Sequence, residues 1–269
     1  MTRMKKHYID LPEGQIHFVV AGQGQPVFLL HQSPMSIAEW DEIIPVLAKD
    51  FMVFAPDMPG HGQSYDPSYA MQVEDFAQVT LQLINKLGFE KVMLAGNHSG
   101  AALATCIATQ APHKVSKLII SCEMLASKKQ IHEIMEAFKN KPISREIPFD
   151  DEGQFIADAW KRYQMLAPTS SLDTRYKPFI IGQAGRLRPY DIHHCVLEWM
   201  EKQDWVSQIT CPTLVFGAEN DLFYSLSELQ NALTRIKQCE VTTISNAGAL
   251  CTFENPSEIS RKFHEFLTK

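Results

Sequence analysis

The feature that most constrains this chain is an alternation of two hydrophobic periods. Eight short apolar runs recur, each followed by turn signals: HYIDL, QIHFVVAG, PVFLLH, FMVFAPD, KVMLAG, KLIISC, PTLVFG and EVTTIS. Several are continuous rather than alternating, which is the pattern of strands buried on both faces of a sheet. Between many of them lie stretches with helical spacing: SIAEWDEIIPVLAK, VEDFAQVTLQLINKLG, ALATCIATQAP and SELQNALTRIKQ. The final PSEISRKFHEFLTK starts with Pro256, at a helix position where the missing N–H is tolerated. Strands alternating with helices predict an α/β fold: a mostly parallel sheet of about eight strands, flanked by helices. The first two runs, joined by a turn around Pro12–Gly14, predict an antiparallel hairpin at the sheet edge.

The alternation stops after Ser121. From about Met124 to Trp205 the patterns are helical, in QIHEIMEAFKN, GQFIADAWKRYQML and HHCVLEWMEKQ, and strands resume at Thr213. This predicts a core of residues 1–123 and 206–269 with a helical cap inserted at 124–205. Such a cap belongs over the carboxyl ends of the strands, where α/β proteins bind ligands. A chain of 269 residues has room for one core carrying that insertion.

The charge balance narrows the partners. The formal net charge is −6, with no basic stripe to hold nucleic acid or an anionic membrane surface. The longest apolar runs are strand-sized, and no apolar stretch follows the basic MTRMKK opening, so no membrane span and no signal peptide are read. The six cysteines lie far apart and form no C-x-x-C pair. Free thiols in a reducing, cytoplasmic setting are expected, with disulfides as the weaker alternative. The ten histidines show no metal-binding spacing, and no cofactor motif is present. The expected partner is therefore a small molecule, without metal or cofactor. Oligomeric state is not legible.

Five segments carry chemistry. They are L-L-H-Q-S-P at 29–34, A-P-D-M-P-G-H-G-Q-S at 55–64, G-N-H-S-G at 96–100, G-A-E-N-D at 217–221 and N-A-G-A-L-C-T-F-E-N-P at 246–256. In order and spacing they resemble the α/β-hydrolase fold superfamily, over nearly the whole chain. The resemblance implies a loop after the third strand, a nucleophile elbow of the form G-x-S-x-G, an acid after a late strand, and a histidine near the end. The chain departs from that pattern twice. His98 stands where the nucleophile is expected, and Ala249 where the histidine is. Only the acid, Asp221, matches. The resemblance is thus to a branch with a degenerate triad.

Ser99 is one place late for the elbow: moving the frame by one would put Asn97 and Ala101 where the turn needs small residues. Histidine tolerates left-handed backbone better than most residues, so His98 can hold the apex. An imidazole reaches farther than a hydroxyl, and Ala249 leaves room. His98 is therefore expected either to pair with Asp221 as an acid–base dyad or to fill a ligand pocket. The resemblance implies an oxyanion hole from the backbone N–H groups of Ser33 and Ser99, with Gln32 replacing the usual glycine of that loop. Cys251 reads as a small buried residue or a reactive thiol, and Glu123 as an alternative acid or a cap contact. His193 and His194 are neighbours on one helix, so only one can line a pocket. His31 and His61 read as structural hydrogen-bonders, and Trp40 as core. Phe253, Trp160, Tyr163, Phe179 and Trp199 read as pocket walls or core. Three functions follow: an enzyme acting on a small carbonyl, ester or lactone-like substrate through His98 and Asp221; an inactive ligand-binding relative; or a serine hydrolase using Ser99.

Overall fold

In the computed structural model, which describes residues 4–122, 128–138, 149–185, 192–202, 204–223 and 226–269, every apolar run forms a strand. They are β1 Lys5–Leu11, β2 Gly14–Ala21, β3 Gln25–Leu30, β4 Phe51–Pro56, β5 Val92–Asn97, β6 Val115–Ser121, β7 Thr213–Ala218 and β8 Cys239–Ile244. One sheet holds all eight in the order β1-β2-β4-β3-β5-β6-β7-β8. β1 pairs with β2, and β2 with β4, antiparallel; every other pairing is parallel. The edge hairpin closes with Leu11 opposite Gly14. Continuous runs became central strands: Val27 to Leu30 of β3 and Leu118 to Ile120 of β6 are fully buried. Two-sided burial demands apolar residues at consecutive positions.

The helices follow where the 3.6 period is strong. They are α1 Ile44–Leu47, α2 Val73–Lys86, α3 Ser99–Gln110, α4 Lys128–Phe138, α5 Gln154–Leu166, α6 Leu172–Gly185, α7 Ile192–Lys202, α8 Leu226–Arg235, α9 Cys251–Glu254 and α10 Pro256–Leu267. Helix α2 buries Val73, Phe76, Ala77, Thr80, Leu83 and Ile84, one face at helical spacing, and closes its first turn with a Gln72–Asp75 capping box. SIAEWDEIIPVLAK departs from the expected continuous helix. It forms a 3-10 turn at Ile37–Trp40, then the short α1. Pro45 explains the break, because its ring opposes a helical carbonyl four residues earlier and restricts Ile44.

Between β6 and β7 the described residues form helices and no strand. Three of them, α5, α6 and α7, divide between two apolar clusters. Ile192, Cys195, Val196 and Trp199 of α7 join the main core, where α7 packs on α2, α3 and α4. Tyr163 and Phe179 of α5 and α6 form a second cluster with Met35, Ala167, Leu250 and Phe253. Met35 follows β3, and Leu250 and Phe253 follow β8, so α5 and α6 rest on the segments that leave the carboxyl ends of these strands. Among the described residues no helix is long and apolar enough to cross a membrane.

Candidate active site

The sharp turn from β5 into α3 is built around His98, with φ 45° and ψ −117°. A Cβ on Gly96 would lie 2.1 Å from the Gly100 carbonyl oxygen, and one on Gly100 would lie 2.1 Å from that of Leu30. Backbone atoms close in on both positions, so the turn requires glycine at each. With both glycines bound to their places, His98 sits between them at the apex. Ser99 is the first residue of α3. The His98 N–H donates to the Ser121 carbonyl at 2.8 Å, which ties the turn to β6.

The His98 imidazole runs toward the segment after β8. Its Nε2 is 2.9 Å from the Ala249 carbonyl oxygen and 3.6 Å from Asp221 Oδ2. A carbonyl only accepts, so Nε2 carries the proton and donates to it. Phe223 meets the ring edge-on, with centroids 5.8 Å apart. The Asp221 side chain is fully buried. Its Oδ1 accepts from the Phe223 N–H at 2.8 Å, while Oδ2 has no hydrogen-bond partner. Burial pushes the His98 pKa down, against the pull of Asp221. Burial likewise pushes Asp221 up, against the pull of His98. Desolvation wins at both groups and favours their neutral forms.

Cys122 completes this corner. It has φ 52° and hydrogen-bonds to Asp221, and its Sγ lies 3.3 Å from that of Cys251. The Cys122 contact and burial push the Cys251 thiol well up, which opposes a reactive-thiol role. Among the described residues, one donor atom each from His98, Cys122 and Asp221 lie within 4.8 Å of one another, a set that can hold a cation. Were Nε2 the ligand, the proton it directs at Ala249 would have to leave first.

The expected oxyanion hole is altered. The Ser33 N–H donates to the Ser99 hydroxyl at 2.8 Å instead of facing an open pocket. The physical reason is proximity: Ser99 sits on the first turn of α3 and offers a hydroxyl oxygen directly to that donor. The Ser99 N–H belongs to the first turn, where no intrahelical acceptor exists. Ser33 Oγ is 3.1 Å from His61 Nε2, and His61 Nδ1 is 3.0 Å from the Pro59 carbonyl. His31 Nδ1 contacts the Gln32 carbonyl at 2.9 Å, and its Nε2 accepts from the Met58 N–H at 3.0 Å. His31 and His61 thus brace loops. Asp57 of the 55–64 segment does the same, accepting from Ile37 N–H and Gln63 N–H and contacting His17 Nδ1 at 2.8 Å.

Ala249 is buried, and its N–H donates to the Leu166 carbonyl of α5 at 2.9 Å. Gln32 is buried and turned to Glu39. Glu123 and the side chain of His194 lie outside the described residues, and His193 is exposed on α7. Trp199 stacks on Trp205, with centroids 4.7 Å apart, in the main core. Trp160 and Tyr163 meet Phe179 edge-on. An apolar groove bounded by Ile156, Trp160, Tyr176 and Phe179 includes none of the residues around His98. Sequence reasoning missed Glu39, Asn97, Thr252 and Cys122. The available signal was weak: Glu39 is an acid directly before Trp40, which reads as core.

Comparison with known proteins agrees with this architecture. A family model described as the alpha/beta hydrolase fold matches residues 25–256. The soluble epoxide hydrolase of a Corynebacterium species is 34% identical over 119 residues, 44% of this chain and 42% of that protein. The matched stretch is thus under half of that relative's length. The (E)-2-((N-methylformamido)methylene)succinate hydrolase of Acinetobacter baylyi is 22% identical over 261 residues, 93% of each chain. A solved structure of a thermophilic esterase from Thermogutta terrifontis covers 98% of both chains, with a TM-score of 0.77 and 21% identity.

Proposed function

Because this chain belongs to the α/β-hydrolase fold family, we propose that it is an enzyme acting on a small carbonyl, ester or lactone-like substrate. In this reading His98 and Asp221 act as an acid–base pair in place of a Ser-His-Asp triad. The observation that carries it is the contact between a strained apex histidine and a buried carboxylate with one oxygen unpartnered, 3.6 Å apart. A buried polar atom without a partner is costly, and such a cost is retained where it serves a function. The relatives are hydrolases, which supports the enzymatic class.

The geometry supports a specific division of labour. With its proton on Nε2 and directed at Ala249, the neutral ring keeps its lone pair on Nδ1. Nδ1 is then the base: it takes a proton from water attacking the substrate carbonyl, or from a carbon acid. The imidazolium so formed donates to the Ala249 carbonyl, and its charge draws Asp221 toward the carboxylate against the effect of burial. The lowered pKa keeps the base deprotonated at neutral pH. Return of the same proton to the leaving group closes the cycle.

One observation favours a second reading. The Ser33 N–H is already occupied by Ser99 Oγ, so a substrate oxyanion would have to displace that hydroxyl. A ligand-binding relative without turnover has no such requirement. The test is incubation of the protein with a pool of small esters, thioesters, lactones and cell metabolites, followed by mass spectrometry. His98→Asn serves as the control, since asparagine tolerates positive φ. Loss of compounds with the wild type only, slowed about 100-fold or more in the variant, is the expected result. Ligands retained unchanged by both proteins would support the binding reading. Labelling of Ser99 by a fluorophosphonate would overturn both in favour of a serine hydrolase.

A further inference from the structure

Glu39 is almost completely buried and receives four hydrogen bonds. Its Oε2 accepts from the Gln32 N–H at 2.8 Å. Its Oε1 accepts from Gln32 Nε2 at 3.0 Å, Asn97 Nδ2 at 2.6 Å and Thr252 Oγ1 at 2.9 Å. All four partners are donors in these contacts, which matches an ionised carboxylate and its acceptor-only chemistry. Each partner stands beside a part of the site. Gln32 lies in the loop after β3. Asn97 ends β5, next to His98, and accepts from Ser121 Oγ of β6 at 2.6 Å. Thr252 follows Cys251, three residues past the Ala249 carbonyl that receives the His98 proton.

We propose that Glu39 is a positioning residue: its carboxylate ties the loop after β3, the end of β5 and the segment after β8 together, and so sets where the His98 ring lies between Ala249 and Asp221. Glu39 does not touch the reacting atoms in this arrangement; it acts through Asn97 on one side of His98 and through Thr252 on the other. A purely apolar packing role is inconsistent with four donors converging on one side chain, since an apolar residue there would leave them all unpaired. Burial raises the acid to about 7 against the pull of its four donors, which favour the carboxylate.

The consequence for turnover rests on His98 being the reacting group, but the test does not. Protein labelled with 13C and 15N at histidine is titrated by NMR without ligand, and His98 is assigned from the resonance lost in His98→Asn. Glu39→Gln keeps the size of the side chain but presents N–H groups to the converging donors. The expected result is a shift of the His98 titration midpoint by at least about half a pH unit, with a change in its Nε2–H signal. The ring signals of His17 and His264, in contact with Asp57 and Asp50, serve as the reference and should stay in place at one fixed pH. An unchanged His98 in folded Glu39→Gln overturns the proposal. So does a common shift of all three histidines, which would mean general loosening. If Glu39→Gln does not fold, Thr252→Val removes one donor with little change of shape, and the same criteria apply. Failure here leaves the chemistry proposed for His98 intact, and failure of the turnover assay leaves the geometric role of Glu39 intact.

Discussion

His98 has a backbone that few non-glycine residues adopt, and its ring is held by partners far away in the chain. Strain at such a turn persists only where the surroundings over-determine it. Here the Ser121 carbonyl, the Ala249 carbonyl and the close approach of Gly96 and Gly100 do so. Burial lowers the His98 pKa below the ordinary 6.5, and Asp221 opposes that shift. Asp221→Asn should therefore lower the His98 titration midpoint further, as read by NMR of its ring Cε1–H; a rise would show that Asp221 does not act on His98 by charge. The same direction of shift bears on stability. His31 is also held neutral by burial. For both, the unfolded chain takes up protons as pH falls below about 6.5 while the fold resists them. The stability tied to these two groups is thus present above that pH and lost as pH falls through the lower folded values.

At the scale of elements, the described helices α5, α6 and α7 between β6 and β7 fall into two groups. Helix α7 is part of the main core, whereas α5 and α6 rest on a small separate cluster with Phe179 at its centre. Gly182 and Gly185 let α6 approach Tyr163 and Pro34 closely: a Cβ on Gly185 would lie 2.3 Å from the Pro34 carbonyl oxygen. A small cluster loses cooperativity with the sheet more easily than a shared core. Phe179→Ala should cost roughly 3 kcal/mol, confined to this pair of helices. Hydrogen exchange should quicken for amides of α5 and α6 and stay unchanged in α3. Equal quickening in α3 would mean that the two clusters open as one unit. The amphipathic pattern of GQFIADAWKRYQML was enough to predict α5, because its period is local. It could not say which cluster the helix joins, because that depends on Met35, Leu250 and Phe253, contributed by segments elsewhere in the chain.

For the whole molecule, one sheet with helices on it buries most of the chemistry-bearing side chains, including five of the six free cysteines. Cys239 alone is half-buried. A thiol reagent added to the native protein should therefore react quickly with about one thiol, and with all six after denaturation; rapid reaction of Cys122 or Cys251 would show that the site opens in solution. The strands, the edge hairpin and most helices were legible in the sequence, since periods of 2 and 3.6 and the turn residues between them act over a few neighbours. So was the sharp turn at 96–100, because its glycines lie in a short motif with its own local geometry. What the chain alone determined is therefore the fold and the candidates. The tertiary structure alone decided their relations: that His98 turns to Ala249 with Asp221 behind it, that Ser99 takes the Ser33 N–H, and that Glu39 reaches Asn97 and Thr252, 58 and 213 residues away. Hydrogen bonds of this kind depend on distance and angle in space, and separation along a chain carries no information about either until the sheet has brought the loops to one end.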